Sequence, residues 1–202
     1  MNRLIAGATA LAATSVLLFL GSRTAQAETR VYEVVTYDHP AESRFDFGFD
    51  GDGAAMVSPP HTPIGNTLTG GTGFKLRFGD QIHLHGLRFT PEGGYAYEHL
   101  FATDDTGTAH DWDTHRLFGG ARIAFGYVVT PGFYAHLGYG WRNTGDPTVP
   151  QIGGLALDAG FALDFHVLRH FVFGGHAEYV TIDSQPYTPQ WIALGLHGDV
   201  VF

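Results

Sequence analysis

The densest group of side chains that could do chemistry lies between residues 104 and 115. It contains four carboxylates and two imidazoles, on Asp104, Asp105, His110, Asp111, Asp113 and His115. Imidazole with carboxylate suits zinc or another divalent ion, and carboxylates alone suit calcium. The spacing matches neither an EF-hand loop nor a standard zinc pattern. These six residues are a candidate metal site, although a solvated acidic loop is the favoured interpretation because loops collect Asp, Gly and Thr.

Catalytic candidates are few. His176 and Glu178 alternate along the chain and could act as an acid and base pair. A nucleophile needs a base within hydrogen-bond reach, and after residue 27 the only serines are Ser43, Ser58 and Ser184. None of these serines alternates with a histidine. We therefore predict no catalytic residue and no cofactor, and assign His176 and Glu178 to ion pairing.

Composition excludes several classes of protein. The 202-residue chain has no cysteine, which excludes disulfide-stapled scaffolds and cysteine-ligated zinc sites. Its formal charge of -9 argues against a nucleic-acid partner. Charged residues make up only 15 % of the chain, below the roughly 25 % of an ordinary soluble domain. Aromatic residues make up 14 %, so the chain is not a disordered polyelectrolyte.

The N-terminal segment has the pattern of an export signal. Asn2 and Arg3 precede an apolar run over residues 4–20, and residues 25–27 read Ala-Gln-Ala, with small residues where signal peptidase cleaves. We predict a cleaved signal peptide over residues 1–27, in preference to a single membrane-spanning helix. Residues 28–43 are predicted to be a periplasmic leader rather than a ninth strand, because bacterial single-chain barrels have even strand counts.

Residues 44–202 show apolar side chains at every second position. Near the C-terminus, Ile192, Leu194 and Leu196 lie on one face, and His197 and Asp199 lie on the other. Eight segments alternate in this way, as half-buried strands do. The connections alternate between short ones, near residues 83–86, 128–132 and 166–170, and long polar ones, near residues 51–71, 102–113, 143–152 and 182–189.

This organisation predicts an all-β fold, an eight-stranded antiparallel up-and-down transmembrane β-barrel with short periplasmic turns and longer extracellular loops. The two strand faces differ in side-chain size, because one is bulky and aromatic and the other mixes glycine, alanine and charges. A water-facing exterior would carry more lysine than the single Lys75 that follows residue 27. The apolar face is therefore predicted to meet lipid. A loop-end aromatic girdle is expected from Tyr97, Trp112, Tyr139, Trp141 and Tyr179.

The opposite face predicts an ion network inside the barrel. Eight strands leave an interior just wide enough for side chains, and a buried charge without a partner is costly. Residues equidistant from a turn sit opposite each other in a hairpin. The expected contacts are Arg77 with Glu92, Arg122 with His136, Asp158 with His176 and Glu178, and a periplasmic seam that holds Arg44 and Asp199. We predict that these contacts plug the lumen.

The export signal, the alternating strands and the terminal Phe202 together carry a family resemblance. Residues 44–202 resemble the small outer-membrane β-barrel proteins of Gram-negative bacteria, of the OmpX and OmpA transmembrane-domain type. The resemblance implies that the last strand is the insertion signal read by the barrel-assembly machinery, through Leu194, Leu196, Val200 and Phe202. Since no residue follows Phe202, the peptidoglycan-binding domain of the OmpA type is expected to be missing.

The resemblance implies a protein of the outer membrane, with outer-membrane lipid and lipopolysaccharide as neighbours and an undefined extracellular partner at the loops. Anionic lipopolysaccharide could be bridged by a divalent ion to the acidic segment 104–115. We expect a structural or surface-interaction role without catalysis. The alternatives are a lipid A-modifying enzyme, a small-solute channel and a soluble secreted ligand-binding barrel. The His-x-Ser-Asn pattern of the lipid A deacylase is absent, because Ala177 and Glu178 follow His176.

Overall fold

The described part of the chain forms a single closed β-barrel. The computed structural model describes residues 43–58, 67–84, 86–103, 108–109, 111–144, 152–168, 170–184 and 188–202. Its strands are β1 (Ser43–Ser58), β2 (Thr67–Leu84), β3 (Leu87–Thr103), β4 (Trp112–Phe125), β5 (Val129–Thr144), β6 (Ile152–Leu168), β7 (Phe171–Asp183) and β8 (Gln190–Val201). Each strand pairs antiparallel with the next, and β8 pairs with β1. The predicted eight-stranded antiparallel architecture is confirmed.

The predicted signal peptide and the leader up to residue 42 lie outside the described residues. The last residue assigned to the leader, Ser43, is instead the first residue of β1. Helices that could cross a membrane are not found among the described residues.

Side-chain alternation divides the barrel into two surfaces. Along β8, Leu194 and Leu196 are 62 % and 61 % exposed, whereas the alternating His197 and Asp199 are buried. The same two-residue period runs through β3, where every second side chain is buried. Successive side chains of a strand point to opposite faces. The polar set therefore lies inside the barrel and the bulky apolar set lies outside, as the sequence predicts.

The β4–β5 turn is displaced from its predicted position at residues 128–132. β4 ends at Phe125 and β5 begins at Val129. Gly126 has a φ of 108°, a left-handed conformation that glycine adopts readily, and it turns the chain here. Pro131 lies within β5 and pairs with Leu163 on β6, one residue before the last pair between β4 and β5, Ala124 with Gly132.

The predicted loop over residues 51–71 is also too long. β1 continues to Ser58 and β2 begins at Thr67. Glycine content suggested a loop, but Gly70 and Gly71 permit close strand contact instead. A Cβ on Gly71 would collide with the backbone oxygen of His99 on β3, so the absence of a side chain lets the two strands approach.

The seam between β1 and β8 closes at the C-terminal residue. The Phe202 N–H donates a hydrogen bond of 2.9 Å to the Phe45 carbonyl oxygen, and the two rings lie 6.4 Å apart. The predicted insertion-signal residues Leu194, Leu196 and Val200 share the outer face of β8 with Phe202, which is 71 % exposed. β8 therefore presents apolar side chains on the outside of the barrel and pairs along its edge with β1.

Candidate functional site

Arg77 on β2 is a central node of the lumen. Its Nε lies 3.0 Å from both carboxylate oxygens of Asp50, and its Nη2 lies 2.8 Å from Asp199 Oδ1. Its Nη1 donates to Glu92 Oε2 at 3.3 Å. Gly48 leaves room for this pairing, because a Cβ there would be 2.8 Å from Arg77 Nη2. One guanidinium therefore links carboxylates on β1, β3 and β8, including the strands of the seam.

His136 on β5 is a second node. Its Nδ1 lies 2.5 Å from Asp158 Oδ1, and its Nε2 lies 2.9 Å from Glu92 Oε1. Arg116 reaches Asp158 Oδ2 at 2.7 Å and also pairs with Glu98. Glu92 is thus shared between Arg77 and His136, which joins the two nodes into one network.

The lone lysine of the described chain, Lys75, is 1 % exposed and points into the lumen. Its ammonium pairs with Glu178 on the far side of the barrel and lies 5.4 Å from the ring centroids of Phe118 and Tyr134. The Tyr134 hydroxyl donates to Glu178 Oε2 at 3.0 Å. Gly160 accommodates the Tyr134 ring, since a Cβ there would collide with it.

A third group lies toward the turn end of the lumen. Arg88 Nη2 donates to Asp164 Oδ2 and to Thr130 Oγ1, both at 3.1 Å. His197 Nε2 lies 3.0 Å from Asp164 Oδ1. Ion pairs therefore occupy the lumen from this end to the level of Lys75.

An apolar layer lies in the lumen toward the loop end. Two clusters, both packed against Ala54 and Met56, form it from Leu68, Leu100, Ala102, Trp112, Ala156, Val180, Ile182, Trp191 and Ala193. The predicted place of Trp112 in the outer aromatic girdle is wrong, because this side chain is 1 % exposed inside the barrel. The positions of Trp112 and the outward Leu117 in β4 differ by an odd number, so strand alternation turns Trp112 inward.

The structure brings only some of the predicted lumen residues into the predicted pairs. Arg77 and Glu92 are in contact. Arg122 and His136 instead share Glu92, with Arg122 Nε 3.6 Å from its Oε1. Asp158 pairs with Arg116 and His136 rather than with His176 or Glu178.

The register explains the difference. Asp158 lies opposite Val180 on β7, and Glu178 lies opposite Gly160. Glu178 is directed at Lys75 across the lumen. His176 lies beside His197, with ring centroids 5.7 Å apart, and in the described part of the chain neither ring nitrogen of His176 has a hydrogen-bond partner.

Arg44 and Asp199, both predicted at the periplasmic seam, lie at different heights along it. Arg44 lies opposite Gln81 near the start of β1, whereas Asp199 lies opposite Gly48 and reaches Arg77. The sequence-based prediction, which paired residues equidistant from a turn, did not include six further lumen residues, Asp50, Lys75, Arg88, Glu98, Arg116 and Asp164. All six occupy inward positions of the alternation, which could have identified them as lumen residues.

The candidate metal residues divide into two sets. Asp104, Asp105 and His110 lie outside the described residues. Asp113 accepts a hydrogen bond of 2.6 Å from the Tyr97 hydroxyl and lies 2.9 Å from His99 Nδ1, while Asp111 Oδ2 lies 3.3 Å from His99 Nε2. The Tyr95 hydroxyl lies 2.7 Å from His115 Nδ1. Within the described ranges, no group of three or more His, Asp or Glu side chains is arranged to hold a metal ion.

These contacts belong to an ordered patch on the outer face of β2 to β5, which we call the β2–β5 patch. Its aromatic row consists of side chains paired strand to strand, Phe74, Tyr97, His115 and Trp141. Successive ring centroids are 5.6, 5.3 and 5.3 Å apart. The next outward row toward the loops is polar and consists of Thr72, His99, Asp113 and Asn143.

Comparison with known proteins identifies the fold. Neither a protein-family model nor a curated protein sequence matches the chain. The crystal structure of Neisserial surface protein A matches with a TM-score of 0.52 and 13 % identity, and covers 81 % of this chain and 100 % of that one. The fold is that of the small outer-membrane β-barrels. The crystal structure of Ail, the attachment invasion locus protein of Yersinia pestis, matches with a TM-score of 0.50, 15 % identity and the same coverages.

The predicted resemblance to barrels of the OmpX and OmpA type is confirmed at the level of the fold. Both solved barrels are matched over their whole length. At these identities the structural similarity establishes the fold, but a shared fold does not determine function.

Proposed function

We propose that the protein is an integral outer-membrane barrel of a Gram-negative bacterium with a closed lumen and a structural or surface-interaction role without catalysis. This proposal rests on the inverted polarity of the barrel, which has apolar side chains on the outside and charged side chains inside. Phe133, Leu194 and Leu196 are 60 %, 62 % and 61 % exposed, whereas Lys75 and Arg77 are 1 % and 2 % exposed. Soluble proteins rarely expose apolar patches larger than a few hundred Å². A bilayer is the solvent that suits such an exterior.

The proposal includes an export route. Residues 1–27 act as a cleaved signal peptide and residues 28–42 as a periplasmic leader. The outward apolar strand β8, with Phe202 at its end, serves as the insertion signal for the barrel-assembly machinery. Outer-membrane lipid and lipopolysaccharide are the neighbours of the inserted barrel.

Insertion is tested by fractionation and gel mobility. We expect the protein to stay with the membrane pellet after carbonate washing and to migrate differently in SDS gels before and after boiling, because a closed hydrogen-bonded barrel resists SDS until it is heated. A soluble secreted barrel would remain in solution without detergent. Release by carbonate, together with identical migration of the boiled and unboiled samples, would refute the membrane assignment.

The closed lumen is supported by two successive layers of side chains. The ion network is built around Arg77, His136 and Lys75, and Trp112 and Trp191 contribute the largest side chains of the apolar layer nearer the loops. Arg116 joins the layers, since its guanidinium carbon lies 5.7 Å from the Trp191 ring centroid. Eight-stranded barrels have interiors that side chains can fill.

This packing predicts that the protein does not conduct ions. Reconstituted in planar bilayers, the heat-modifiable protein should give no stepwise current above that of protein-free bilayers. A matched preparation of a known porin shows that the bilayers report channels. Regular conductance steps from the folded protein would support the small-solute channel instead.

The absence of catalysis is supported by the position of the serines. Ser43 and Ser58 are the first and last residues of β1, and Ser184 follows the last residue of β7. His176 and Glu178, the sequence-based acid and base candidates, are buried in the lumen, where Glu178 pairs with Lys75. Glu178 is thus held in an ion pair, and both groups face the barrel interior rather than the bilayer.

A further inference from the structure

The β2–β5 patch changes character in three steps along the strands. The outward row nearest the middle of the barrel wall contains Leu76, Tyr95, Leu117 and Tyr139. The aromatic row comes next, and the polar row follows toward the loops. On the opposite wall, the outward positions near the loops mix apolar and polar side chains, among them Ile192, Val57, Tyr179 and Asp183. The row of four neighbouring rings therefore distinguishes the β2–β5 side of the barrel.

The aromatic row is continuous, because its neighbouring rings lie against one another. His115 and Trp141 are stacked with an interplanar angle of 14°. Both side chains are half-buried and lie on the outer face. Tyrosine and tryptophan suit a boundary that is apolar on one side and wet on the other, which is where the acyl chains of a lipid give way to sugar hydroxyls.

Two carboxylates lie at the polar row, Asp113 within it and Asp111 beside His99. The side chains of Asp113, Asp111 and His99 are 43 %, 35 % and 36 % exposed. In contrast, six of the seven Lys and Arg side chains in the described residues are buried in the lumen, and the seventh, Arg44, lies at the other end of β1. Phosphate recognition relies on Arg and Lys. The patch therefore suits hydroxyl donors of a sugar better than phosphate.

We propose that the β2–β5 patch binds a glycolipid of the outer leaflet, with acyl chains on the Leu76–Leu117 row, a sugar ring on the aromatic row and sugar hydroxyls on Asp113 and His99. The order of the three rows matches the order of these parts in one amphiphile. This inference rests on the proposed membrane location.

The test compares two defined lipids with the same acyl chains. Full-length protein in micelles of a detergent without sugar is titrated with digalactosyldiacylglycerol or phosphatidylglycerol, and bound lipid is counted by native mass spectrometry. We expect the uncharged glycolipid to be preferred. Asp113→Asn removes a charged hydrogen-bond acceptor and Trp141→Leu removes a ring of the aromatic row, so each should weaken glycolipid binding about tenfold, which corresponds to about 1.4 kcal/mol.

Matched variants on β7 control for general effects. Asp183 and Tyr179 are outward side chains away from the patch, so Asp183→Asn and Tyr179→Leu should leave glycolipid binding unchanged. Heat-modifiable migration verifies that each variant is folded. Equal binding by patch and control variants, or preference for phosphatidylglycerol, overturns the inference while membrane insertion stands. A wild-type protein that fails to insert overturns the proposed function as well.

Discussion

Replacing Arg77 with methionine is expected to lower the free energy of unfolding by about 3–5 kcal/mol, the usual result of removing one partner from a buried ion pair. Methionine retains most of the side-chain volume but leaves Asp50, Glu92 and Asp199 without their shared cation. All three carboxylates are buried. Urea unfolding of the protein in lipid vesicles, followed by tryptophan fluorescence, measures the loss.

Arg44→Met is the matched control for this prediction. Arg44 is half-buried near the start of β1, and its replacement should cost less than about 1 kcal/mol, as exposed ion pairs usually do. Equal small losses for the two variants would mean that the network around Arg77 contributes little to stability and that water enters the lumen freely.

Replacing Leu196 with arginine is expected to destabilise the inserted barrel by about 2–4 kcal/mol, because a cation near the bilayer midplane must be moved to an interface. Leu196 is 61 % exposed and lies near the middle of β8. Its strand neighbours are Gly51 and Gly175, so the arginine meets no side-chain obstruction at the paired positions. The loss in the free energy of unfolding would therefore show whether lipid or water surrounds this position.

Gln190→Arg provides a control on the same face of the same strand. Gln190 is the first residue of β8, at the loop end, where arginine should cost only about 0–1 kcal/mol. The difference between the two variants, measured by the same unfolding assay, reports depth in the bilayer. If Leu196→Arg changed stability by less than about 0.5 kcal/mol, as surface substitutions in water usually do, the outer face would be facing water.

The strands and the direction of their side chains could be predicted because a single local rule governs both. Residues two apart share a strand face, and the pattern from Ile192 to Phe202 defines which face is apolar. The same rule places Trp112 inside, although its position at a strand end suggested the girdle. Where alternation and position along the strand disagreed, alternation was correct.

The partners inside the lumen could not be predicted in the same way. Lys75 pairs with Glu178, 103 residues away, across the interior rather than along a hairpin. Such contacts depend on barrel diameter, strand stagger and side-chain reach together. Hairpin pairing could find Arg77 with Glu92, which lie on adjacent strands, but it assigned Asp158 to β7 when its partners are Arg116 on β4 and His136 on β5.

The inverted polarity of the barrel is tested most directly by spin labels along β8 in a bilayer. The chain has no cysteine, so single cysteines can be labelled at Ile192, Ala193, Leu194, Leu196 and His197. Collisions with lipid-soluble oxygen should be frequent at the even positions and rare at the odd ones, where a water-soluble nickel complex should also collide rarely. Frequent nickel collisions and rare oxygen collisions at Leu194 and Leu196 would show that the apolar face does not meet lipid.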